Sequence, residues 1–144
     1  MPFAITLTGE TAADDPTLAI GALTLGHHTE NFRTPIGHWT ATDYETSWSL
    51  ALNRLVHGAT ISCLVTAMRD PRKAHFLEIW PLYREDRMVH VQNQLLFLNE
   101  LDREFDPTKP WNFIEPHSTA DEDGQRISEW SVLTSHIEEF LKNR

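Results

Sequence analysis

Residues 60–97 constrain the chain most, because they hold three consecutive runs with strand character, 60–68, 74–83 and 88–97. In the first, Ile61, Cys63, Val65 and Ala67 share one face among frequent β-branched residues, the pattern of a buried strand. In the third, Val89, Val91, Leu95 and Phe97 alternate with His90, Gln92 and Gln94, as expected of an antiparallel sheet with one wet side. Phe76 and Trp80 share a face of the middle run. The connections, residues 69–73 and 84–87, are short and charged, and Pro71 presets the first central position of a turn. Together these features predict a three-stranded antiparallel meander over residues 60–68, 74–83 and 88–95. Pro81 removes one ladder donor, which places that part of the middle strand at a bulge or near a sheet edge.

The flanks supply helices. Thr42 and Glu45 have the spacing of a capping box, so a helix is expected over residues 43–57, with Tyr44, Trp48, Ala51 and Leu55 on one face. Arg54 and His57 suit its negative end, and Gly58 supplies a left-handed stop. This helix is expected to lay its aromatic face on the sheet. Ser135 and Glu138 repeat the capping spacing and open a short C-terminal helix with Ile137, Phe140 and Leu141 inward. Asp123-Gly124 is a turn signal that predicts a hairpin between residues 112–114 and 126–133. Residues 18–25 read as a strand bulged at Gly21. Residues 1–8 carry a short apolar alternation, residues 10–16 a polar loop, and 1–16 as a whole read as an irregular N-terminal segment. The prediction is one α+β domain spanning residues 1–144: an antiparallel sheet with a central meander, one main helix on a face and a short C-terminal helix.

Bulk properties narrow the function. At 144 residues one core is expected, burying about two thirds of the surface of the unfolded chain. The single cysteine, Cys63, cannot form an intramolecular disulfide. The first basic residue is Arg33, so no secretory or transit leader is expected, and the longest apolar run, 17–25, is too short for a bilayer span. These features point to a soluble, cytoplasmic protein. Twenty-one acidic residues against 12 Lys and Arg leave a formal charge of −9. Direct binding of nucleic acid is disfavoured, since phosphate affinity needs a basic surface, and a basic partner is favoured instead.

Catalytic spacing is absent. There is no phosphate-binding glycine loop, no His-Glu-x-x-His, no Cys-x-x-Cys and no Gly-x-Ser-x-Gly, so neither cofactor nor metal is expected. Asp121-Glu122-Asp123-Gly124 places its glycine too early for a calcium loop and reads as a hairpin turn. His27 and His28 are neighbours, with Glu30 close behind, and a surface or turn role suits them better than chelation. Glu78, with His75 or His90, offers the one enzymatic alternative, a small-molecule hydrolase or lyase with its site on the sheet. A structural subunit of a larger assembly is a third reading.

Order and identity of several motifs add a further reading. Trp39, Tyr44 and Trp48 are followed by Asp70-Pro71, Trp80-Pro81-Leu82-Tyr83-Arg84, Val91-Gln92-Asn93-Gln94, Gly124 and Ile127-Ser128-Glu129-Trp130. Over residues 18–142 this series resembles a family of bacterial immunity proteins of contact-dependent growth inhibition systems. The resemblance implies a small, non-enzymatic, cytosolic protein that binds the C-terminal toxin domain delivered by a sibling cell and blocks it. The toxin of such systems is often a nuclease, hence basic, which agrees with the acidic charge of this chain. Glu100, Asp102, Glu104 and Asp106, with Asp121, Glu122 and Asp123, form its two densest acidic segments and are the expected contacts.

Overall fold

A computed structural model describes residues 2–144; Met1 lies outside the described residues. Eight strands and two helices make up the fold: β1 (Phe3–Ala12), β2 (Asp15–Leu25), β3 (His28–Pro35), α1 (Ala41–Val56), β4 (Ile61–Ala67), β5 (Phe76–Glu85), β6 (Met88–Gln92), β7 (Gln94–Phe97), β8 (Glu129–Leu133) and α2 (Thr134–Lys142). The α+β class is as expected, but the strands form two antiparallel sheets. One has the order β1-β2-β3, the other β4-β5-β6-β8, with β7 also paired to β5.

The expected meander is β4, β5 and β6 with β7. β6 and β7 share one register against β5, since Leu82 pairs with Val91 and Phe76 with Phe97. The interruption between them falls opposite Trp80 and Pro81. In this register Pro81 and Gln92 are the residues that would exchange hydrogen bonds, and proline has no N–H to give. Proline therefore breaks the ladder without shifting it.

The N-terminal segment is not irregular. Phe3 and Ile5 alternate into the core, and β1 runs through to Ala12 with its register shift around Gly9, at φ +86°. The bulge expected at Gly21 lies on this neighbouring strand instead. Gly21 is needed for another reason: a Cβ there would sit 2.3 Å from the Phe32 ring, which lies across the bare backbone of its cross-strand partner.

Helix α1 starts two residues earlier than expected, at Ala41 with Thr40 as its cap. Thr40 accepts from the Asp43 amide at 3.2 Å, and the Asp43 carboxylate accepts from the Thr40 amide at 2.8 Å. Two overlapping Thr-x-x-acid boxes exist in the sequence, and the upstream one is used. The stripe Tyr44, Trp48, Ala51 and Leu55 is fully buried as expected, and Gly58 (φ +106°) follows the cap. The helix packs this stripe on the sheet as expected, and its side chains also reach the outer edge of β4. Trp48 Nε1 donates to the Val65 carbonyl at 2.8 Å and Arg54 Nη2 to the Ile61 carbonyl at 3.2 Å, while the Tyr44 hydroxyl donates to the Pro35 carbonyl at 2.7 Å and accepts from the Met68 amide at 2.9 Å. An edge that would otherwise offer free acceptors is thereby closed.

Two C-terminal expectations fail. Residues 112–113 lie in a 3₁₀ turn, Pro110–Phe113, and β8 pairs with β6 rather than with them. Pro110 stands at the first position of that turn, where its fixed φ suits a helical start. The Asp123-Gly124 turn does form, but closes only a bridge between Ala120 and Arg126. Helix α2 begins at Thr134 after Leu133, with no side-chain cap, so the Ser135 and Glu138 box is not used. Ile137 is buried, and Phe140 packs edge-on against Phe3 at 5.6 Å.

Candidate partner-binding surface

The segment between β7 and β8 carries both acidic clusters, and it is tied down at several points. Trp111 lies under the Arg54 guanidinium at 4.3 Å, and Phe105 packs on Phe113 at 4.9 Å. The Tyr83 hydroxyl donates to the Glu115 carbonyl at 2.7 Å, and Gln92 Nε2 to the Ser118 carbonyl at 2.8 Å. A rigid sheet thus presents long, polar loops, the usual arrangement of a binding surface.

A polar network holds the second half of this segment. Glu129 on β8 bonds the His117 Nε2 at 2.6 Å and accepts from Gln92 Nε2 at 2.9 Å. His117 stacks on His90 with centroids 5.2 Å apart and planes 2° from parallel, and His90 Nδ1 meets the Ser131 hydroxyl at 2.9 Å. Burial, which alone would raise the Glu129 carboxyl pKa, is outweighed by the hydrogen bonds from His117 and Gln92, and the net shift is downward. The sequence gives no local sign of this network, because its members come from three distant segments.

All seven expected contact residues are exposed. Their roles differ. Asp102 pairs with Arg103 at 3.0 Å, and Asp106 accepts from the Thr108 hydroxyl and amide at 2.6 and 2.9 Å, bonds that hold its pKa down. Asp121 accepts from the amides of Asp123 and Gln125, both at 2.9 Å, and so builds the turn. Glu100, Glu122 and Asp123 carry carboxylates that accept no hydrogen bond from the described residues, and Glu104 lies within electrostatic reach of Arg72.

The enzymatic alternative is not assembled. Glu78 is exposed on β5, on the face of Trp80 and Leu82, whereas His90 lies opposite Tyr83 on the other face of the sheet; His75 precedes the strand. Cys63 is fully buried, and its thiol is pushed far up by desolvation, so it is packing. His28 bonds Glu30 at 3.0 Å and stacks on Trp130 at 4.6 Å, joining the two sheets.

An apolar feature was missed by sequence reasoning. Val89 and Val91 on β6 are fully buried, but Leu95 and Phe97, which continue the same alternation on β7, are 46% and 44% exposed beside Phe76 at 39%. Alternation marked the face, and nothing local marked where its cover ends. Above it, a cleft of about 360 Å³ between the sheets is lined by Phe32, Arg33, Glu78, Trp80 and Leu95, among others.

The chain is similar to known proteins along most of its length. Residues 34–140 match the family described as the CdiI N-terminal domain. The chain is 34% identical, over 83% of its length and 81% of the relative's, to immunity protein CdiI of Enterobacter cloacae subsp. cloacae. A chain in the solved CdiA-CT/CdiI toxin and immunity complex from Enterobacter cloacae superposes with a TM-score of 0.88 at 32% identity, covering 98% of this chain and 97% of that one.

Proposed function

Since the chain belongs to the CdiI family of contact-dependent growth inhibition immunity proteins, we propose that it neutralises one cognate toxin C-terminal domain by covering that domain's active site. The observation that carries this reading is the likeness along nearly the full chain to a component of a toxin and immunity complex. Binding alone accomplishes the task, and no chemistry is asked of this chain. The toxin is read as a nuclease. An enzyme that holds a phosphate backbone presents a basic cleft, and a chain of charge −9 is complementary to it. Complementarity of this kind speeds encounter and excludes wrong partners, while buried apolar contacts supply most of the affinity. The encounter takes place in the cytosol, where a nuclease would meet its substrate.

The test uses the purified cognate toxin domain. A stable complex burying about 1,200–2,000 Å² in total is expected, with nucleic-acid cleavage abolished at stoichiometric inhibitor. A tight complex that still cleaves would overturn occlusion. A toxin that cleaves no nucleic acid would overturn the nuclease reading and leave neutralisation standing.

A further inference from the structure

We propose that the open edge of β7 docks an extended strand of the toxin domain, which adds to the five-stranded sheet alongside Gln94–Phe97. The inference rests on the immunity reading above and specifies the surface it uses.

Backbone geometry comes first. Leu98 N donates to the His75 carbonyl at 3.0 Å, which makes 75 and 98 a hydrogen-bonded pair in the β5–β7 register. In an antiparallel ladder such pairs alternate with pairs whose polar groups point away. Leu96 and Gln94 therefore bond towards β5, whereas Leu95 and Phe97 direct N–H and C=O outward. The outward lane is the one β8 occupies beside β6. β8 stops where Glu129 meets Gln92, and the preceding chain turns off, with Ile127 N donating to the Thr119 carbonyl at 2.9 Å. Among the described residues no hydrogen bond fills the lane beside Leu95 and Phe97.

The side chains agree with the backbone. Leu95, Phe97 and Phe76 form an exposed apolar face, with the Phe76 and Phe97 rings 6.1 Å apart. Natural edges are ordinarily guarded by lysine, proline, a bulge or a covering helix. α1 guards β4 in that way, yet Gln94–Phe97 contains none of these devices. An unguarded edge with apolar alternate residues is the template for strand addition, in which main-chain bonds bind and alternate side chains select.

Charge decides the occupant. Glu78 stands directly opposite Leu95, and Glu100 closes the 3₁₀ turn that follows Phe97. Pairing with a second copy would join two molecules that each carry −9, with the acids Glu78 and Glu100 of both beside the shared edge. A toxin strand with apolar residues at alternate positions and basic residues at its flanks meets both requirements.

Amide hydrogen exchange on the wild-type protein, free and bound to toxin domain, reads the geometry directly. The Leu95 and Phe97 amides should exchange rapidly when free and become protected in the complex. Two variants accompany it. Leu95→Pro removes an outward N–H and leaves the β5 ladder intact, and Phe97→Lys places a charge on the apolar face. Both should keep the wild-type melting temperature and lose about tenfold or more in toxin affinity. Unprotected amides, or folded variants that bind as tightly as wild type while wild type still protects cells, would overturn strand docking and leave the immunity reading in place. A wild-type dimer that Leu95→Pro dissociates without loss of toxin affinity would assign the edge to a second copy and overturn the proposal. Failure of the wild-type protein to bind toxin at all would remove both readings together.

Discussion

Trp48 of the main helix donates its indole N–H to the Val65 carbonyl at 2.8 Å, on the outward edge of β4, and both residues are fully buried. One side chain thus fills the core and closes a sheet edge. Trp48→Phe keeps most of the volume but leaves that carbonyl unpaired, at a cost of about 1–3 kcal/mol. Trp48→Ala also opens a cavity and should cost about 3–5 kcal/mol. Urea denaturation of the two variants separates these contributions; a Trp48→Phe protein as stable as wild type would show that the hydrogen bond carries nothing of its own.

Capping gives a test at single-residue resolution. Thr40→Ala removes an acceptor that the Asp43 amide uses and should cost about 1 kcal/mol. Thr42→Ala, at the alternative box, should change stability by less than about 0.5 kcal/mol. The reverse ranking in thermal or chemical melts would restore the later start of the helix.

Gly21 and Phe32 make a third pair. Because a Cβ on residue 21 would meet the ring at 2.3 Å, Gly21→Ala must displace Phe32, which in turn packs edge-on against Trp48 at 6.0 Å. A loss of about 1–3 kcal/mol is expected, as for other overpacked sites, and Phe32→Ala in the same background should relieve the clash. Strictly additive losses would show that the two residues do not interact.

Acid should weaken the loop that carries the second acidic cluster. The Glu129 carboxyl is held below its ordinary value of 4.5 by His117 and Gln92 in spite of burial. A carboxyl depressed on folding contributes stability that is fully present above its unfolded value and disappears as pH falls through its folded one. Wild type should therefore lose melting temperature more steeply than Glu129→Gln, which cannot titrate, as pH falls below the ordinary carboxyl value of 4.5. Parallel curves would show that Glu129 contributes nothing to the acid limb.

These tests separate what was legible in the chain from what was not. The meander and the buried face of α1 are local patterns, and periodicity alone finds them. The first sheet was hidden because β1 carries only Phe3, Ile5 and Leu7 in its core-facing alternation before Gly9 interrupts it. β8 was misassigned because its partner, β6, lies some 40 residues upstream, as in the pairing of Val91 with Trp130, and hairpin signals speak only for neighbours in sequence. The network of His90, His117 and Glu129 depends on that same long-range pairing, so no spacing rule reaches it. Exposure of the acidic segments was legible from charge density, but the division of labour within them required the hydrogen bonds.

Those hydrogen bonds decide which acids can be reversed without disturbing the loop. Reversing all of Glu100, Asp102, Glu104 and Asp106 would mix two effects, because Asp102 and Asp106 maintain the local backbone through Arg103 and Thr108. The informative variant reverses Glu100, Glu104, Glu122 and Asp123, all exposed and none of them accepting a hydrogen bond from the described residues. If these carboxylates steer a basic toxin domain, the variant should keep its melting temperature while association slows by about ten- to a thousandfold at low ionic strength. The deficit should shrink as salt shortens the Debye length to about 8 Å near physiological strength, and dissociation should change little. Stopped-flow association at two salt concentrations reads all of this. An unchanged rate at low salt would show that the acids are merely solvated. A slower rate at both salts, with faster dissociation, would place them inside the contact rather than at its rim.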